Sequence, residues 1–167
     1  MVHVVPKFEG ANFFLSNFYV APTVYRMDGE PITMPTGEHA FQAAKFHAMK
    51  DVDSNRRKDY VLRTAEAPTP SKAKYAGRSV DIHADVWEDI RVKVMREVVW
   101  QKFLQHPDLR TQLLKTYDAM LVEGNDWQDT FWGRCNGKGY NKLGVILMEV
   151  RGYWLWQSKL NSPEMGS

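Results

Sequence analysis

Short apolar runs broken by polar and turn-forming residues mark residues 12–34 as strands and turns. Thr23-Val24-Tyr25-Arg26-Met27 and Glu30-Pro31-Ile32-Thr33-Met34 flank Asp28-Gly29, a two-residue hairpin signal. Pro31 lacks a backbone donor, which places its strand at an edge. After Thr36 the apolar spacing becomes helical. Thr36 is placed to cap a helix over 37–49, with Glu38 in the first turn, where the dipole favours an acid. Residues 51–65 are charged and read as helix. Thr69-Pro70 opens a short helix that Gly77 ends. The longest helix spans 84–105, with Trp87, Ile90, Val94 and Val98 as one apolar stripe, widened by Met95, Val99 and Phe103. Pro107 starts another helix that buries Leu109, Leu113 and Leu114. Leu121-Val122-Glu123 reads as a short strand. Residues 124–140 are loop, dense in Gly, Asn and Asp. Asn141 is placed to cap a last helix over 142–157 carrying Leu143, Ile146, Leu147 and Val150. Residues 161–167 are expected to be disordered.

At 3.6 residues per turn, Glu38, Gln42 and Lys45 fall on one side of the helix after Thr36, and Phe41, Ala44 and Ala48 on another. A surface helix has little reason to pair its polar stripe with so many small residues. A helix that offers a carboxylate and an amine to a pocket does. Residues 123–133 add Trp127, Phe131 and Trp132 among acids and amides. The glycine-rich continuation to Tyr140 then enters a helix N-terminus, a junction able to offer backbone N–H groups to a phosphate.

Composition narrows the class. With 167 residues, 44% hydrophobic and 25% charged, the chain reads as one domain over residues 1–160 with room for a core. A net charge of +2 is too small to imply an obligate nucleic-acid or membrane partner. The aromatic share of 13% suits a stacking surface or an aromatic core equally. One cysteine, Cys135, excludes an internal disulfide framework and fits a reducing compartment. No signal-peptide run and no stretch of roughly 20 apolar residues is present, so a cytoplasmic location without a membrane partner is expected.

The ordered motifs Asn17-Phe18-Tyr19, Glu38 through Lys45, Trp87, Lys102-Phe103, Leu121-Val122-Glu123, Phe131-Trp132-Gly133 and Asn141 through Met148 resemble the NADAR, or YbiA-like, family. The likeness runs from about Phe8 to Arg151. It implies a compact α+β fold, predominantly helical, with small β elements near the N-terminus. It also implies an N-glycosidase acting on a phosphorylated ribosyl compound, either a riboflavin-biosynthesis intermediate or ADP-ribosylated guanine, free or in nucleic acid. By that resemblance Glu38, Lys45 and Asp129 are the candidate catalytic residues. Asn17, Phe18, Trp87, Trp127, Trp132, Gly133, Arg134 and Asn141 are the candidate substrate contacts, with the base on Trp87 or Trp132 and the phosphate near residues 133–141. No cofactor is implied. Two departures stand out: Gln128 occupies a position that is commonly Gly, and Arg134 follows Trp132-Gly133 where some members carry an acid.

Each of these residues also has a plainer reading. Glu38 serves any helix start, Lys45 any polar face, Trp87 any core, and Asp129 any turn. His39 has no second ligand at metal spacing, since His47 lies eight residues on, so a structural histidine and no metal are expected. Two mechanisms are open, water activated by Glu38 or Asp129, or attack by Lys45 on C1 through an imine. The alternative function is a module that binds ADP-ribose or a nucleotide without turnover.

Overall fold

The computed structural model describes residues 3–50 and 52–160. The first residue of the expected 51–65 helix and the stretch 161–167, expected to be disordered, lie outside the described residues. In chain order the elements are β1 (Val4–Val5), β2 (Val20–Met27), β3 (Glu30–Thr36), α1 (Gly37–Ala43), α2 (Ser54–Ala65), α3 (Pro70–Ser79), α4 (Ala84–Gln105), α5 (Pro107–Leu114), β4 (Met120–Leu121), β5 (Gly124–Asn125), β6 (Arg134–Cys135) and α6 (Lys142–Leu160). The architecture is α+β and predominantly helical. Its strands pair in twos, and β4, β5 and β6 add small β elements in the C-terminal half that the sequence reading treated as one strand and a loop. The packing separates into two compact units, residues 16–105 and residues 3–15 with 106–160.

In the unit 16–105, β2 and β3 form the expected hairpin. Asp28 (φ 51°) and Gly29 (φ 83°) both take left-handed backbone, as a two-residue turn between right-twisted strands requires. β2 alternates exposed and buried positions along its whole length, so one face joins the core. Thr36 ends β3 and caps α1, its hydroxyl accepting from the His39 N–H. Every residue of α1 is buried, and after Ala43 the chain tightens into a 3-10 turn over Ala44–Ala48 rather than continuing to residue 49 as α-helix. Asp53 and Thr69 cap α2 and α3 in the same way. Gly77 does not end α3, which runs on to Ser79. It is there for close approach, because a Cβ would collide with the Gln42 side chain of α1.

α4 buries Trp87, Met95, Val98, Val99 and Phe103 as its periodicity predicts, while Ile90 and Val94 are half-buried. It also buries Lys102, which the apolar pattern did not flag. The Lys102 amine donates to the Ser16 carbonyl (2.9 Å) and lies over the Tyr19 ring. Burial lowers its pKa to about 7.

In the other unit, β1 and β4 pair in parallel, Val4 opposite Met120 and Val5 opposite Leu121, one step earlier than the strand expected from residue 121. α5 buries Leu109 and Leu113, with Leu114 half-buried. α6 extends to Leu160 and buries Leu143, Ile146, Leu147 and Val150. Arg151, also buried, donates to the Thr116 hydroxyl and the Ala119 carbonyl.

Candidate active site

Glu38, Gln42 and Lys45 do share one side, and the tertiary structure makes that side unusual. Gln42 Nε2 donates to Glu38 Oε1 at 2.8 Å, one helical turn apart. Only 7% of Glu38 is exposed. Burial raises the pKa of its carboxyl, opposed by the Gln42 hydrogen bond and by the charges of Lys74 and Lys45. The half-buried Lys45 amine donates to the Gly77 carbonyl of α3 at 2.6 Å. Its pKa is lowered, chiefly by burial, against the pull of Glu38 and with help from Arg78 and Lys74. Gln42 Oε1 is buried without a hydrogen-bond partner among the described residues.

Aromatic residues surround this group. Trp87 packs its ring on Phe41 (centroids 5.1 Å apart) and sits beneath the Lys45 amine, 5.7 Å from the ring centroid. Only 7% of Trp87 is exposed, so most of its surface is already taken by protein. Phe18 is half-buried, with the Lys74 amine 5.9 Å from its ring centroid. Asn17 is buried; its carbonyl accepts from the Glu38 N–H (2.9 Å), and its amide donates to Met95 Sδ (3.1 Å). Asn17 thereby fixes the start of α1 and the backbone of Glu38. His39, the neighbour of Glu38, engages both ring nitrogens, with Thr36 Oγ1 at 2.8 Å and the Ala67 carbonyl at 3.0 Å. Among the described residues no group of His, Cys, Asp and Glu is gathered closely enough to hold a metal ion.

The remaining candidates belong to the other unit. Asp129 Oδ1 accepts from the N–H groups of Phe131 (3.1 Å) and Trp132 (2.9 Å), and the Asn125 side chain bridges the Asp129 backbone at both N–H and carbonyl. This is a carboxylate folding its own loop. Gln128 sits at φ 67°, so the left-handed conformation that suits Gly is kept with Gln in place, at a cost of about 1 kcal/mol. Trp127 is 62% exposed, and Trp132 is half-buried with its ring edge-on to Phe131. Gly133 is buried where a Cβ would strike the Glu123 carbonyl and Asn125. Arg134 is half-buried, its Nε without a hydrogen-bond partner among the described residues.

Asn141 has φ 52°, and both ends of its amide are used across the fold. Oδ1 accepts from the Glu123 N–H (3.0 Å) and Nδ2 donates to the Leu121 carbonyl (2.8 Å), so the side chain ties α6 to the end of β4 instead of capping the helix. The N–H groups of Asn141, Lys142 and Leu143 donate to the carbonyls of Gly133, Phe131 and Trp132. The open anion cradle expected at this helix start is therefore already filled by backbone acceptors.

The NADAR domain family model matches residues 6–153. The N-glycosidase YbiA of Shigella flexneri serotype 5b is 39% identical over 137 residues, covering 81% of this chain and 78% of that one. A riboflavin biosynthesis protein of Vibrio vulnificus is 40% identical over 139 residues, which are 83% of this chain and 34% of that longer protein. The NMR structure of Escherichia coli YbiA superposes with a TM-score of 0.73 at 34% identity, covering 100% of this chain and 94% of that chain.

Proposed function

The chain belongs to the NADAR family, and from that premise we propose that it hydrolyses the N-glycosidic bond between ribose and a base in a phosphorylated ribosyl compound, with Glu38 and Lys45 as the reacting side chains. The observation that carries this reading is a buried carboxyl and a half-buried amine on one face of α1, the first held by Gln42 and the second by the Gly77 carbonyl. Glu38 is driven toward its protonated form and Lys45 toward its neutral form. Oppositely shifted neighbours divide into an acid and a base or nucleophile.

In the proposed reaction the neutral Lys45 amine attacks C1 of the ribose while Glu38 gives its proton to the departing base nitrogen. The C1–N bond to the base breaks and Nζ bonds to C1; a proton then passes from Nζ to the ring oxygen as the C1–O bond opens, leaving a protonated imine between C1 and Lys45 Nζ. Water, deprotonated by the Glu38 carboxylate, then adds to C1, and collapse of that adduct restores the amine and frees the sugar. Gly77 aims the amine through its carbonyl, and the Trp87 and Phe41 rings keep its surroundings poor in water. The name of the Vibrio vulnificus relative supports a riboflavin precursor over ADP-ribosylated guanine as the substrate.

Borohydride added during turnover should trap a sugar adduct on Lys45, located by peptide mass spectrometry. Products from both substrate classes offered together would identify the preferred base. Full turnover with no trapped adduct would reduce Lys45 to an electrostatic role and transfer water activation to a carboxylate.

A further inference from the structure

A phosphorylated substrate needs cationic or N–H donors for its phosphate, and the start of α6 has already given its leading N–H groups to carbonyls. The helix beside Glu38 and Lys45 presents the opposite situation. α3 carries Lys72, Lys74 and Arg78 and no acid. Lys74 and Arg78 are four residues apart, one above the other on the helix surface. Between them in sequence lies Gly77, seated against Gln42, with its carbonyl on the Lys45 amine.

From these placements we infer that Lys74 and Arg78 form the subsite for the phosphate on C5 of the ribose, resting on the reading of Glu38 and Lys45 as the reacting pair. Lys74 reaches over the Phe18 ring, at 5.9 Å from its centroid, at the edge of the same group of side chains. Among the described residues neither Lys74 nor Arg78 has a carboxylate within ion-pair distance. Lys50, Arg63 and Arg91 each do, with Asp81, Asp59 and Glu88. The charge of Lys74 acts on both Glu38 and Lys45, and that of Arg78 on Lys45, so both cations lie beside the proposed reacting pair. With no carboxylate in ion-pair contact among the described residues, both side chains are open to an anion brought by the substrate, beside the face that carries Glu38 and Lys45. The guanidinium of Arg78 suits two phosphate oxygens at once and the Lys74 ammonium a third. The two cations then do two things: they hold the phosphate end of the substrate, and in its absence they help keep Lys45 neutral.

Because loss of either cation also alters Lys45, turnover alone would mix the two effects, and direct binding is the cleaner measurement. Calorimetric titration of the full chain should show ribose 5-phosphate bound more tightly than ribose. Lys74→Ala and Arg78→Ala should each weaken ribose 5-phosphate by roughly tenfold or more, the scale of a lost charged hydrogen bond, with ribose unaffected. Lys74→Arg should retain most of the affinity, and melting temperatures near wild type would show that the variants fold. ADP-ribose titrated alongside separates a diphosphate from a monoester as the natural group: the larger loss on substitution marks the better fit. Three results would overturn the assignment: no preference for ribose 5-phosphate over ribose in the wild-type protein, a preference that survives the double substitution, or a loss caused by Arg134→Ala instead. Phosphate binding that depends on α3, in a protein that cleaves no N-glycosidic bond, would retain the subsite and reject the proposed reaction.

Discussion

The face of α1 and the loop from Glu123 to Asn141 are both dense in acids, amides and aromatics, yet their polar groups are used differently. In the loop, Asn125, Asp129 and Asn141 direct their side chains to backbone N–H and carbonyl groups of their own unit, and the start of α6 is closed by carbonyls. On α1, Glu38 is buried with one amide partner, Gln42 Oε1 has none among the described residues, and the Lys45 amine rests on one carbonyl between the opposing charges of Glu38 and of Arg78 and Lys74. A buried polar group that completes a loop lowers the free energy of the fold. A buried group left short of partners raises it, and such groups concentrate where a ligand supplies what is missing. Both regions are rich in acids and aromatics; what differs is that Asn125, Asp129 and Asn141 spend their side chains on backbone groups, while Glu38 and Lys45 keep few partners.

The largest test of that contrast is at Lys45. Lys45→Ala should lower turnover by about three orders of magnitude or more, as removal of a covalent nucleophile does. Lys45→Arg should not restore it, since a guanidinium stays protonated. Recovery with Arg would make the residue a fixed charge and remove the imine from the mechanism.

Glu38→Gln comes next, with turnover down by about two orders of magnitude, the scale of a lost acid–base group. The same variant carries a stability signature of known sign. Burial holds the folded pKa of Glu38 above its ordinary value of 4.5. Between those two values the unfolded chain has released a proton that the folded chain keeps, so wild-type stability falls as pH rises through that window. Gln does not titrate. Denaturant unfolding across pH should therefore show Glu38→Gln gaining on wild type from acid toward neutral pH, with the difference constant below about pH 4.5. A variant that is both inactive and less stable at neutral pH would place Glu38 among the structural residues.

On the loop side the expected effect is on stability. Asn141→Ala leaves the Glu123 N–H and the Leu121 carbonyl without their partner and should cost about 2–4 kcal/mol in urea unfolding. A fully stable variant with a raised KM would instead assign Asn141 to the substrate and weaken the contrast. The smallest change expected is Gln128→Gly, which relieves a side chain at φ 67° and should add about 1 kcal/mol to stability.

Much of the scaffold was legible because it follows local rules. Asp28-Gly29 makes its turn through positive φ, Thr36 caps α1 through its own hydroxyl, and α4 buries the stripe that its spacing marks out. The shared side of Glu38, Gln42 and Lys45 follows in the same way from the helical period. The length of α1 did not, since after Ala43 the chain tightens into a 3-10 turn over Ala44–Ala48 that the helical period does not mark.

What only the tertiary structure decided is the environment of each polar group. Gly77 looks like a helix end until α1 is laid against it, and then it becomes the seat of Gln42 and the acceptor for Lys45. Lys102 looks like a solvated lysine until Ser16 and Tyr19 close over it. Asn141 looks like a cap until the Leu121 carbonyl and the Glu123 N–H take the two ends of its amide. The sequence by itself determined which residues share a face, because periodicity is a property of the local backbone. Burial, hydrogen-bond partners and the sign of a pKa shift are set by segments far apart in the chain, and no local pattern encodes them.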